Sequence, residues 1–178
     1  MALLRGRLAA RLEAPPISVE ARIQADPEWQ RGADWGEPGP GHPEASVAAH
    51  IEEVLANVAR EDPVLQPRLR IIALVHDTMK HRVRWWRPDH ARLAARFAAR
   101  YVDDPVVLKI IRRHDDAYRA WRLGARTHLW WLARLRARRL VADLGPALDL
   151  FLAFYRCDTR TGDKDLAPLE WFEALVRA

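Results

Sequence analysis

From residue 43 to the C-terminus, apolar side chains recur at helical spacing, and on five successive stripes one position carries a histidine or an aspartate. Val47, Val54 and Val58 share a face with His50, and Leu69, Ile72 and Ala73 share one with His76. Ala94, Phe97 and Tyr101 align with His90, while Val107, Ile110, Ile111 and Tyr118 align with His114. Ala147, Leu150, Phe151 and Phe154 complete the series with Asp158. A stripe of this period is the face that a helix buries, so the pattern sends five polar side chains toward the interior. No segment alternates with the period of a half-buried strand. The expected fold is all-α, a compact single-domain helical bundle with a polar site in its core.

Helix starts are marked by proline, which loses nothing in a first turn. Pro43, Pro67, Pro105 (after Asp104, a ready N-cap), Pro146 and Pro168 open five segments, and residues 126–143 read as one basic, aromatic helix. Upstream, a first amphipathic helix ends at Pro15-Pro16, and residues 24–42 hold four Gly and three Pro and read as a loop. The expected organisation is therefore an N-terminal helix and Gly/Pro-rich loop over residues 1–41 and a helical, metal-binding domain over 42–178. Nearly half of the 178 residues are hydrophobic and eight are Trp, which argues against disorder except at the ends. No run reaches the roughly 18 apolar residues of a membrane helix. A lone Cys157 rules out an internal disulfide framework and fits a reducing cytoplasm. The formal charge of +5 favours anionic partners, although an Arg-rich, Lys-poor composition also follows from genome bias. Oligomeric state is open.

A buried polar side chain without a partner costs a few kcal/mol, and a bare carboxylate far more. One histidine on an apolar face is usually a hydrogen-bonded core residue. Five such positions, with Asp77 directly after His76, are satisfied together by a shared cation held between helices. His50, His76, Asp77, His90, His114 and Asp158 are the candidate ligands. Imidazoles with carboxylates and no thiolate suit Mn, Fe, Co, Ni or Zn better than Mg, as one ion or two. His42, His81 and His128 fit capping or surface roles. A second His-Asp pair stands at His114-Asp115.

The order of these residues resembles that of the HD superfamily of metal-dependent phosphohydrolases, over roughly residues 42–160. "HPEASVAAH" (42–50) is similar to the opening of the HD-type domain in CCA-adding tRNA nucleotidyltransferases and related solitary HD proteins, and "IIALVHDTMK" to the helix ending in His-Asp-x-x-Lys. "DHARLAARFAARY" and "VVLKIIRRHDD" resemble the later His-bearing helices, and "LAFYRCDTRTGD" the helix with the final Asp. The resemblance implies that His50, His76, Asp77 and Asp158 hold a first metal, with His90 and His114 the added ligands of two-metal members. Met79 departs from the pattern, since Gly often precedes the motif Lys. Only residues 1–41 lie upstream, so nucleotide addition by that family's route is not expected.

Hydrolysis of a small phosphorylated substrate, a nucleotide above all, follows as the expected activity. A divalent metal lowers the pKa of bound water and polarises a phosphoryl oxygen. Asp77 or Asp158 would orient or deprotonate that water. Lys80, one turn past the pair, would neutralise phosphate charge. Arg82, Arg84 and Arg87, interleaved with Trp85-Trp86, would form a rim for phosphate and a stacked base. Arg126, Arg134, Arg136, Arg138 and Arg139 would reach an RNA backbone if the substrate were RNA. Two alternatives stay open: the same ligands support a di-iron oxygenase, and a module without turnover would bind nucleotide or RNA alone.

Overall fold

The computed structural model describes residues 17–38, 45–83 and 89–178, and among these it contains helices and turns but no strand. In chain order the helices are α1 (Val19–Gln24), α2 (Pro27–Ala33), α3 (Val47–Val58), α4 (Gln66–Val75) and α5 (His90–Ala98). They continue as α6 (Pro105–Arg113), α7 (Asp116–Thr127), α8 (Trp130–Leu144), α9 (Leu148–Thr159) and α10 (Ala167–Arg177), with short 3-10 turns at Lys80–Arg82 and Gly145–Ala147.

Helix α4 is the hub of the bundle. Leu69, Ile72, Ala73, Leu74 and Val75 are all buried, because α1, α3, α5, α6 and α9 pack around it. The second half of α4, residues 71–75, is apolar all round, and such a segment is stable only when enclosed in this way. Its C-terminal end therefore delivers His76 and Asp77 to the middle of the molecule. Phe151, Phe154, Ile110 and Val54 fill the same core from the surrounding helices. Helices α7, α8 and α10 pack together beside it, with Trp130 against Trp171.

Local capping sets where these helices begin. The Asp104 carboxylate accepts from the backbone N–H of Val106 and Val107 at 2.8 and 3.3 Å, with Pro105 in the first turn of α6. Asp89 caps α5 through the Arg92 N–H at 3.0 Å, which makes His90 the first helical residue. Ser46 caps α3 through the Ala49 N–H at 3.2 Å, so this helix begins at Val47 rather than at Pro43. Pro43, the Pro15-Pro16 stop and the first helix expected before it lie outside the described residues.

Three expectations are corrected. Residues 24–42 are not simply a loop, because they contain α2. Asp26 accepts from the Glu28 N–H at 2.7 Å with Pro27 in the first turn, the same start signal as Asp104-Pro105, here obscured by nearby glycines. Residues 126–143 are not one helix: α7 ends at Thr127, His128 takes a left-handed conformation (φ 59°), and α8 starts at Trp130. Gly124 permits the tight hairpin, since a Cβ there would lie 2.3 Å from the Trp130 ring. Tyr118 also leaves the stripe of His114, because the chain turns at His114-Asp115 and Tyr118 belongs to α7.

The N-terminal helices are built into the bundle. Ile23 is fully buried in the core, and Arg70 grips Glu20 through two 2.8 Å hydrogen bonds. The Trp29 indole N–H donates to the Leu74 carbonyl at 2.7 Å, satisfying a group at the end of α4 that has no partner within the helix. Gly32 then lets α2 seat directly on the turn after His76-Asp77. A Cβ at this position would lie 1.9 Å from the Thr78 carbonyl oxygen, a backbone atom that no rotamer change can move. Gly32→Ala is expected to cost at least about 1–3 kcal/mol, the usual penalty of overpacking. Chemical denaturation checks this, and an unchanged midpoint would show that α2 does not hold that turn.

Candidate metal centre

Five helices contribute one end or one face to a single cluster. His50 comes from the first turn of α3, His76 and Asp77 from the cap of α4 and the turn after it, His90 from the start of α5, His114 from the end of α6 and Asp158 from the last turn of α9. His76 is fully buried, and His50, Asp77, His90 and His114 are no more than 8 % exposed. All six candidate ligands from the sequence are thus brought together, and they fall into two groups of metal-holding geometry. One is His50, His76 and Asp158; the other is Asp77, His90 and His114.

Asp77 joins the groups. Its Oδ1 lies 3.2 Å from His90 Nε2 and 3.5 Å from His114 Nε2. Its Oδ2 faces the other way, 3.5 Å from His76 Nε2 and 3.9 Å from His50 Nε2. Asp158 Oδ1 closes the first group at 2.9 Å from His50 Nε2 and 3.6 Å from His76 Nε2.

The partners behind the rings show that these residues suit a cation. His76 Nδ1 sits 3.0 Å from the Ala73 carbonyl, and His114 Nδ1 2.8 Å from the Ile111 carbonyl. A carbonyl can only accept, so both Nδ1 atoms carry the proton. In the neutral rings each Nε2 then presents a lone pair to the cluster. His50 is set the same way: the Thr161 hydroxyl donates to the Asp158 carbonyl at 2.8 Å, leaving its oxygen to accept from His50 Nδ1 at 3.3 Å. Such outer partners orient metal-binding imidazoles. His50 Nε2 and His76 Nε2 face each other at 3.3 Å, as do His90 Nε2 and His114 Nε2 at 3.1 Å. Ring nitrogens this close to one another and to carboxylates need a proton or a cation between them.

The electrostatics agree. Burial works against an ionised Asp77, yet Lys80 and the surrounding histidines hold its carboxyl well below the usual range. Asp158 is likewise held down against burial by Lys164, His50 and His76. Burial opposes a charged His114, but Asp115 and Asp77 outweigh it and raise its pKa to about 9. The cluster thus gathers positive charge around its carboxylates, and a metal would displace a proton there on binding. Cys157 lies beside Asp158 in sequence but is buried, and burial pushes its thiol up to about 12, so it stays protonated.

Asp77, His90, His114 and Asp158 line a cavity of about 1080 Å³, together with residues of α7, α9 and the turn before α10. Lys80 lines it, with Nζ 2.5 Å from Asp77 Oδ2. Arg82 does not: its guanidinium turns outward to Glu28 on α2. Arg84, Trp85, Trp86 and Arg87 lie outside the described residues, and so does His42. His81 sits next to the site without joining it, its Nδ1 donating to the Thr78 carbonyl at 2.8 Å. His128 is an exposed helix cap, and Arg134, Arg136, Arg138 and Arg139 are exposed along α8, with Arg126 exposed on α7.

Sequence reasoning missed several residues. Asp115 lies 3.5 Å from His90 Nε2 and 3.6 Å from His114 Nε2, a further carboxylate at the second group. The second His-Asp pair was its signal. Lys164 reaches Asp158 Oδ1 at 2.9 Å, mirroring Lys80 on Asp77. Thr161 and Lys164 lie in an irregular turn, where no periodicity marks which way a side chain faces.

No protein-family model matches the chain, and no curated protein or solved structure matches it either.

Proposed function

We propose that this chain is an HD-type metal-dependent phosphohydrolase acting on a nucleotide or another small phosphoester. One observation carries the proposal: Asp77 spans two three-ligand groups while Lys80 and Lys164 bring ammonium groups to their carboxylates on the wall of the same cavity. Cations bound by these groups would supply a Lewis acid and a water of lowered pKa. Lys80 and Lys164 would hold the negative charge of the phosphoryl oxygens, a role for preorganised positive charge in a low-dielectric site. Asp158, more exposed than Asp77 at 17 % against 6 % for the side chains, would take the proton of an attacking water. The Arg side chains exposed on α8 would offer a cationic face to an RNA backbone.

The test is elemental analysis of protein purified without added metal, followed by phosphomonoesters and cyclic phosphodiesters under Mn, Co and Ni. Turnover with a bound transition metal is the expected result. Metal-loaded protein inert toward the whole panel would overturn the proposal. Oxygen consumption with iron in place of hydrolysis would put a di-iron oxygenase in its stead, since imidazole and carboxylate ligands serve iron equally well.

A further inference from the structure

The cavity above the metal groups is far larger than a phosphate, and its size suits a ligand with a substantial body beyond the reacting end. Its wall on α7 carries Tyr118 and Trp121, one helical turn apart, with ring centroids 6.2 Å apart and planes 26° from parallel. Tyr118 is 40 % exposed, so its ring is open to a ligand in the cavity. Arg122 follows on the same helix, exposed at the cavity edge. Deeper in, Tyr155 is 4 % exposed, and its hydroxyl has no hydrogen-bond partner among the described residues. Tyr155 lines the same cavity as Asp115, Asp158 and Tyr118. A buried hydroxyl left without a partner costs about 1–3 kcal/mol, so one on a residue that lines a cavity favours an acceptor brought there by a ligand or a water.

We infer that the non-reacting end of the ligand is a planar ring of nucleobase type, stacked on Tyr118 and Trp121, with the Tyr155 hydroxyl donating to an acceptor on the ligand. Only the phosphate at the reacting end rests on the phosphohydrolase proposal. The ring site stands on α7 and Tyr155.

The experiment compares adenosine and uridine 5′-monophosphates with ribose 5-phosphate, probes that differ only by the base. Binding is measured by calorimetry to metal-free protein in chelator, and turnover of the same three probes is measured with Mn. Each base is expected to tighten binding by about 5- to 100-fold, the usual contribution of one stacked base. Tyr118→Ala should remove most of that gain and Tyr118→Phe should keep it, with circular dichroism checking the fold of each. Tyr118→Leu carries the same expectation as alanine should the alanine variant fail to fold. Equal affinity for all three probes, or a base contribution that survives the loss of the Tyr118 ring, overturns the inference. Base-dependent binding without turnover supports the ring site while removing the hydrolase. Turnover with no base preference does the reverse.

Discussion

Asp77→Asn is expected to empty both ligand groups at once and to abolish turnover. The substitution keeps the shape of the side chain but deletes the charge that faces His90 and His114 through Oδ1 and His50 and His76 through Oδ2. His114→Ala removes a ligand from the second group alone and leaves His50, His76 and Asp158 in place. Metal analysis should therefore read about two ions per chain in the wild type, about one in His114→Ala and close to none in Asp77→Asn. Loss of a direct ligand should exceed the roughly 10–100-fold affinity cost of losing an outer partner. Both variants should keep their helical content, because the apolar packing around α4 is untouched. Wild-type metal content retained in Asp77→Asn would remove the shared-carboxylate arrangement, and with it the proposed chemistry.

The second large effect belongs to Lys80. Its ammonium lies against Asp77 Oδ2 on the cavity wall, and although burial disfavours its charge, Asp77 outweighs burial and raises its pKa. It is therefore a fixed positive charge beside the ligand groups. Lys80→Met keeps the stem and deletes that charge, so phosphoester turnover should fall by about 10- to 1,000-fold, the range for removing a preorganised electrostatic stabiliser. Metal occupancy should persist, because no Lys80 atom belongs to either ligand group. Arg82→Met is the control: its guanidinium pairs with Glu28 outside the cavity, and kcat should not change. A Lys80→Met protein with full kcat and full metal would assign this lysine to pairing with Asp77 alone.

Much of this centre was legible in the chain because it lies on regular helices. His50, His76 and Asp158 each share a face with aliphatic neighbours, and a period of 3.6 residues tells which way such a face points. His90 and His114 stand at a helix start and a helix end, and the stripes still extend to them. The period fails where the helix does. Asp115 sits in the turn between α6 and α7, and Thr161 and Lys164 follow the end of α9, so no repeat assigns their direction. The break at His128 was invisible for a related reason. A left-handed residue there is a hydrogen-bonded helix end without the usual glycine, since its N–H donates to the Gly124 carbonyl at 2.8 Å.

By itself the sequence determined that the chain is all-α, which faces are buried, and that six ligand-type side chains belong to those faces. These are local properties, carried by spacing and side-chain chemistry. Only the tertiary structure decided that the six divide into two groups, that the two oxygens of Asp77 face different groups, and that Lys164 answers Lys80 across the site. It also decided that Arg82 turns away and that Tyr118 faces the cavity from α7. The physical reason is that a carboxylate has two acceptor edges and a long side chain many rotamers. Which of them is used depends on where five helix segments converge, a distance set by packing across the core that no interval along the chain records.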